Sequence, residues 1–298
     1  MRALIVDDER LARKELMKLL EDHPSIEIVG EAMNADEAIQ MFAKAYGQNA
    51  YSFIPTYVVI SDVEEFGGKL TRLFSIENSE YKIKSDTIPN ASLIYLANPN
   101  NPSGITSKEK VIELVKNNPK SIVVIDEAYG EFADLSVIDQ VSKYPHMAVL
   151  RSFSKAYGMA GNRIGYIIAH PEIINVVKNK TQWSNVSYLS VGAAMTAIDH
   201  EDYFANIRQD INVRRDEFIE FLSKSGFVVL PSNINAVVIK FVSEEKGTNF
   251  ANYLTTNNFI ISHGNGNSNI GLDKSFVRIA VGNKEQMQSL REIVEKYY

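Results

Sequence analysis

Lys155 stands in the stretch Leu150-Arg151-Ser152-Phe153-Ser154-Lys155-Ala156-Tyr157-Gly158-Met159-Ala160-Gly161-Asn162-Arg163, beside two hydroxyls and eight positions before an arginine. A lysine amine can form a Schiff base with an aldehyde. Hydroxyls and a guanidinium are phosphate ligands. A phosphorylated aldehyde such as pyridoxal phosphate would call on both at this spacing. Two upstream segments add polar groups at the ends of apolar runs. Asn98-Pro99-Asn100-Asn101-Pro102-Ser103-Gly104 follows Leu93 to Ala97, and Val123-Val124-Ile125 runs into Asp126-Glu127-Ala128-Tyr129-Gly130. Taken singly, each residue has a plainer explanation. Asp126 could cap a turn, Asn101 before Pro102 reads as a turn residue, Tyr129 as a half-buried core residue, Ser152 and Ser154 as surface hydroxyls, and Arg163 as an ion-pair partner. Their joint occurrence is what carries the argument.

On those three motifs, in this order and at this spacing, residues from about 34 to 298 resemble a fold-type I pyridoxal-phosphate aminotransferase. Histidinol-phosphate aminotransferases are the most similar in pattern. The resemblance implies a role for each matched residue. Lys155 would hold the cofactor aldehyde as a Schiff base and then move a proton at the substrate α-carbon. Asp126 would face the pyridine nitrogen and keep the ring protonated. Tyr129 and Asn101 would donate to the ring's phenolic oxygen, and Ser152, Ser154 and Arg163 would hold the phosphate. Asn34-Ala35-Asp36-Glu37-Ala38-Ile39 resembles the family's phosphate loop, whose backbone N–H groups at Ala35 and Asp36 would open a helix onto an anion. Tyr57, in Pro55-Thr56-Tyr57, matches the aromatic ring that stacks on the cofactor. Arg278, in Phe276-Val277-Arg278-Ile279-Ala280, matches the arginine whose planar fork grips a substrate carboxylate. The reaction implied is amino-group transfer from histidinol phosphate or a related amino acid to a 2-oxo acid such as 2-oxoglutarate, in a homodimer.

The first forty residues resemble something else. Met1-Arg2-Ala3-Leu4-Ile5-Val6-Asp7-Asp8-Glu9-Arg10 reads as a strand ending in acids. Ala12, Leu16, Leu19 and Leu20 follow at helical spacing, Pro24 breaks that helix, and Ile26, Ile28 and Val29 mark a second strand. This is similar to the start of a response-regulator receiver domain, of the CheY-like, flavodoxin-like kind. The next receiver strand would carry a phosphoacceptor aspartate, but Tyr51 to Tyr57 contains none. Asp7 and Asp8 alone make a poor magnesium site. The chain therefore reads as a chimera, with a receiver βαβα fragment over residues 1–40 packed onto an aminotransferase-like large domain over 34–200 and a small domain over 201–298. About forty residues rarely hold a core unaided, so Leu4, Ile5 and Val6 are expected to join the large sheet. The graft stands where intact family members supply a substrate-covering arm and a tyrosine that reaches the neighbouring subunit's phosphate. An engineered chimera without catalytic activity is thus the alternative reading, and a signalling module is a weaker one.

Composition and pattern agree with an α/β fold. Of 298 residues, 45% are hydrophobic, enough for a large core. The net charge of −6 argues against binding a phosphate backbone. The absence of cysteine excludes disulfides and thiolate metal sites and fits a cytoplasmic setting. There is no run long enough for a membrane helix, and no signal peptide is visible. Strand-like runs at 51–54, 93–97, 122–125, 148–150 and 164–169 alternate with helical stretches, the pattern of a mainly parallel three-layer sheet. After residue 200 a long polar helix over 203–224, strands at 227–230, 236–241, 259–261 and 276–281, and a closing helix over 284–298 read as a small α+β unit.

Overall fold

A computed structural model describes residues 2–5, 27–31, 35–56, 58–77, 80–84, 86–178, 187–264 and 272–297, with backbone alone at 2–5, 27–31, 35–37 and 58–59. Its main element is an eight-stranded sheet. The strands are β1 (Arg2–Ile5), β2 (Glu27–Glu31), β3 (Asn49–Ile54), β4 (Lys69–Phe74), β7 (Leu93–Ala97), β8 (Ile122–Asp126), β9 (Met147–Ser152) and β10 (Gly165–Ala169). A short ribbon of β5 (Ile76–Glu77) and β6 (Glu80–Tyr81) lies apart from it. The order across the sheet is β2-β1-β10-β9-β8-β7-β3-β4. Only β10 runs antiparallel to its neighbours β1 and β9. The strands β7 and β8 are nearly continuous runs of Val, Ile and Leu because both sheet faces are covered. On one face lies the helix α1 (Ala35–Tyr46), with Ile39 and Phe42 packed in the same core as Tyr95, Val124 and Leu150. On the other face Leu114 and Val115, from the helix Lys108–Asn117, pack with Ile94, Val123 and Ile125. Burying each such side chain stabilises the fold by about 1.5–3 kcal/mol.

The second unit is a four-stranded antiparallel sheet in the order β11-β12-β14-β13, from β11 (Val228–Leu230), β12 (Ala236–Lys240), β13 (Ser262–His263) and β14 (Phe276–Ala280). Its core joins Phe218, Phe250, Val237, Ile279 and Leu290. The long helix Glu201–Lys224 and the last helix Lys284–Glu295 cover it, close to the spans read from sequence.

Several sequence expectations change here. Residues 259–261 do not form a strand; the pairing strand is Ser262–His263, and Ile260 is fully exposed. The preceding helix ends with Asn258 in the left-handed region (φ 67°), and the chain spends the next residues returning to the sheet edge. The edge strand Lys69–Phe74, in which Leu70 alone is buried, was not expected. Arg2–Ile5 does join the large sheet, pairing Leu4 with Ile167 and Ile5 with Tyr166. Val6, the expected helix of residues 12–20, Asp7, Asp8 and Tyr57 lie outside the described residues. Among the described residues, no helix is long and apolar enough to cross a membrane, and no cluster of His, Cys, Asp and Glu could hold a metal ion.

Candidate active site

The parallel strands β7, β8 and β9 end side by side, and their carboxyl ends carry the groups picked out by sequence. Ala97 pairs with Asp126, and Asp126 with Leu150. A crevice outside such strand ends is where open α/β sheets bind ligands. Asp126 is buried at the end of β8. Its Oδ2 accepts from the Tyr95 hydroxyl at 2.6 Å, and its Oδ1 accepts from the Ala128 N–H at 2.9 Å. Tyr129, also buried, follows in the turn beyond it, and the Lys155 Nζ lies 5.7 Å from the centre of its ring. Lys155 itself is exposed, on the one-turn helix Phe153–Ala156 that β9 runs into. Ser152 caps that helix, accepting from the Ser154 N–H at 3.1 Å.

Arg163 reaches this corner through the strand register. Gly165 pairs with Ser152, and the Phe153 N–H donates to the Ile164 carbonyl at 3.1 Å. The antiparallel pairing thus brings Arg163 to the turn opposite Ser154. Arg163 is exposed, adopts φ 53°, and donates from Nη1 to the Ala160 carbonyl at 3.1 Å. Ala35 opens α1, and α1 packs on β9 and β10. The side chain of Asp36 and the whole of Tyr57 lie outside the described residues.

The loop after β7 is a braced platform. Asn98 exchanges two bonds with Thr106, Nδ2 to carbonyl at 3.0 Å and Oδ1 from N–H at 2.9 Å. Asn100 Nδ2 donates to the carbonyls of Pro55 (2.7 Å) and Ser103 (2.8 Å). Gly104 has φ +104°, and a Cβ there would lie 2.2 Å from that of Tyr81, so glycine is required. The loop also clasps the small sheet. Ser103 Oγ donates to the Pro231 carbonyl at 2.7 Å, and Arg278 Nε donates to Asn101 Oδ1 at 3.0 Å. The last contact joins two residues 177 positions apart, both read from sequence as site residues.

Two groups escaped the sequence reading. Tyr95 is one; its signal was a lone hydroxyl in the otherwise apolar strand Leu93–Ala97. The other is a buried ion-pair network behind the site. Arg151 meets Glu127 at 2.8 Å and Glu131 at 2.6 Å. Glu127 also accepts from the Val137 N–H and the Ser136 hydroxyl, each at 2.7 Å. Burial pushes the Glu127 carboxyl up, and Arg151 with these donors pulls it back. Burial opposes the Arg151 charge, but Glu131 and Glu127 outweigh it and hold the guanidinium protonated. A broad cleft of about 1040 Å³ opens beside this network, lined by Glu131, Arg151, Glu201 and Arg208 among others. None of the strand-end site residues lines it. The ends of β7, β8 and β9 and the turns that follow them carry an amine, a carboxylate, a phenol, an amide and hydroxyls. That donor set fits pyridoxal phosphate: an amine for the aldehyde, a pinned buried carboxylate for the ring nitrogen, and hydroxyls for the phosphate.

The fold and this site define a transaminase-type α/β protein, and the chain belongs to the aminotransferase class I and II family, which matches residues 10–294. The match includes most of the segment that resembles a receiver. Among curated relatives, a histidinol-phosphate aminotransferase 2 of Archaeoglobus fulgidus is 34% identical over 220 residues, covering 72% of this chain and 62% of the relative. A histidinol-phosphate aminotransferase 1 of Hydrogenovibrio crunogenus is 32% identical over 245 residues, covering 81% of this chain and 66% of the relative. The chain thus spans just under two thirds of the length of these relatives. Among solved structures, histidinol-phosphate aminotransferase from Sinorhizobium meliloti in complex with pyridoxal-5′-phosphate superposes with a TM-score of 0.79 at 23% identity, covering 96% of this chain and 82% of that one. L-threonine-O-3-phosphate decarboxylase from Porphyromonas gingivalis gives 0.80 at 23%, covering 98% and 89%.

Proposed function

We propose that the chain binds pyridoxal phosphate through Lys155 and transfers an amino group from histidinol phosphate or a related amino acid to a 2-oxo acid such as 2-oxoglutarate. The observation that carries this is the Asp126 carboxylate, pinned at the carboxyl end of β8 beside the Lys155 segment. When bound, the cofactor supplies an electron sink for a carbanion at the substrate α-carbon. The chain's residues do the rest. Asp126 holds a proton on the ring nitrogen. Asn101, oriented by Arg278, keeps its NH₂ group for the ring's phenolic oxygen, with Tyr129 as the second donor. The bond from Arg278 Nε to Asn101 leaves both Nη groups for a substrate carboxylate. Ser152, Ser154, Arg163 and the N–H groups of Ala35 and Asp36 hold the phosphate, Tyr57 stacks on the ring, and the Lys155 amine carries the proton to and from the α-carbon. Names among the relatives favour histidinol phosphate, whereas the decarboxylase likeness supports the fold alone.

The test is borohydride reduction of protein mixed with pyridoxal phosphate, followed by peptide mass mapping, with a transamination assay on histidinol phosphate and 2-oxoglutarate. The label is expected on Lys155. A label elsewhere, or none at saturating cofactor, overturns the reading. Label on Lys155 without transamination favours the catalytically inert chimera.

Two finer readings belong with this one. The helix Tyr188–Asp199 buries Val191, Ala194 and Ala197 yet leaves Leu189 82% and Ile198 53% exposed. A helix apolar on both faces belongs in an interior. Its outer face adjoins an apolar hollow lined by Met159, four residues from Lys155, and by Tyr203 and Phe204. A second copy of the chain covering this face would therefore complete the site, and Leu189→Asp should convert a dimer to a monomer in light scattering. The receiver-like reading of residues 1–40 is supported by the parallel pairing of β1 with β2. Slow hydrogen exchange at Arg2–Ile5 and Glu27–Glu31 is its expected mark.

A further inference from the structure

Tyr95 is 1% exposed and sits in the middle of β7, in the core beneath α1. Packing alone does not call for its hydroxyl, since phenylalanine would fill nearly the same volume. A buried hydroxyl is costly unless bonded, and this one donates to Asp126 Oδ2 at 2.6 Å. Residue alternation explains the meeting. Tyr95 and Ala97 share a face of β7, and Ala97 pairs with Asp126 across the ladder. With the Ala128 N–H on the other oxygen at 2.9 Å, both oxygens are engaged and the plane of the carboxylate is fixed. On the far side, Tyr95 pairs in register with Ser52, whose buried Oγ has no hydrogen-bond partner among the described residues.

We infer that Tyr95 is a positioning residue that orients the Asp126 carboxylate toward the cofactor's ring nitrogen and favours its ionised form. The inference rests on the function proposed above. A hydrogen bond to a carboxylate favours the charged state, so the hydroxyl keeps the shared proton on the ring nitrogen. Without it the carboxylate can rotate about its χ2 bond and becomes more basic, and its grip on the ring weakens. Tyr95 itself does not touch the reacting atoms.

The test compares dissociation constants, read by fluorescence, for pyridoxal phosphate and its 1-deaza analogue, in which carbon replaces the ring nitrogen. Wild type, Tyr95→Phe, Asp126→Asn and the double variant are measured, with thermal melting of the cofactor-free proteins as a folding control. Loss of a hydrogen bond to a charged group predicts that Tyr95→Phe weakens pyridoxal phosphate about tenfold. The analogue should weaken less than twofold, and Tyr95→Phe should add little in the Asp126→Asn background. Equal losses for both compounds, or no loss for either, overturn the inference while leaving the cofactor reading intact. A wild type that binds neither compound overturns both. If Tyr95→Phe melts far lower than wild type, the double-variant comparison decides: an undiminished loss of affinity in the Asp126→Asn background shows a packing role and overturns the inference.

Discussion

Asp126 and Glu127 are adjacent acids at the end of one buried strand, yet they face opposite sides of the sheet and meet opposite surroundings. Glu127, 1% exposed, is locked by Arg151, Ser136 and Val137. Asp126 is oriented by a phenol and a backbone N–H, three residues before Tyr129, whose ring lies 5.7 Å from the Lys155 Nζ. The difference teaches which carboxylate can do chemistry. Matched to a guanidinium and filled with donors, one has its charge spent on holding the strand ends together. The other is held by two donors at the carboxyl end of β8, where the function proposed above puts a ring nitrogen. Burial alone does not separate them, because both are buried.

Four measurements would break or sharpen that contrast. The largest effect should come from Glu127→Ala, which leaves Arg151 in the interior with only Glu131. Losing one partner of a buried pair costs about 3–5 kcal/mol. Chemical denaturation should show that loss, and a change below about 1 kcal/mol would mean that the network is not structural. Asp126→Asn should do the reverse. It should leave the denaturation midpoint close to wild type and lower transamination kcat by roughly a hundredfold. Retention of most activity would remove Asp126 from the proposed role. Ser152→Ala removes the cap of the short helix that carries Lys155, and about 1 kcal/mol of stability with it. Its affinity for pyridoxal phosphate should fall as well if Ser152 also holds the phosphate; a stability change alone would make it only a cap.

The smallest effect is a pH dependence. Burial pushes the Tyr166 hydroxyl up to about 12, with Arg151 pulling it down and Glu131 and Glu127 pushing it up. Burial raises Tyr81 and Tyr157 too. A raised folded-state value means that the unfolded chain loses its proton first. The stability is therefore fully present below about pH 10, the ordinary tyrosine value, and is lost as pH rises toward the folded values. Melting temperature should decline over pH 10–12, and Tyr166→Phe should flatten part of that decline. An unchanged slope would separate Tyr166 from the Glu127 network.

The amino-acid order by itself set the three motifs, the apolar strands that carry them, and the turn chemistry of Asn98–Gly104. Each rests on local pattern: continuous Val and Ile runs for strands covered on both faces, Asn and Pro at turns, and a serine ahead of a helix. It also placed the long helix after residue 200 and a second, smaller sheet. Tertiary structure decided what local pattern cannot encode. The alternation of β7 against β8 brought Tyr95 onto Asp126, across 31 positions of sequence. The clasp of Arg278 on Asn101 depended on how the small sheet docks against the β7 loop. The strand at 262–263 replaced the one read at 259–261, because pairing with β14 outweighed the local apolar signal of Phe259, Ile260 and Ile261. Which of two adjacent acids meets Arg151 and which meets Tyr95 was likewise decided by the neighbours each strand acquired. A single strand shows only that successive side chains alternate, and the packed sheet determines what waits on each side.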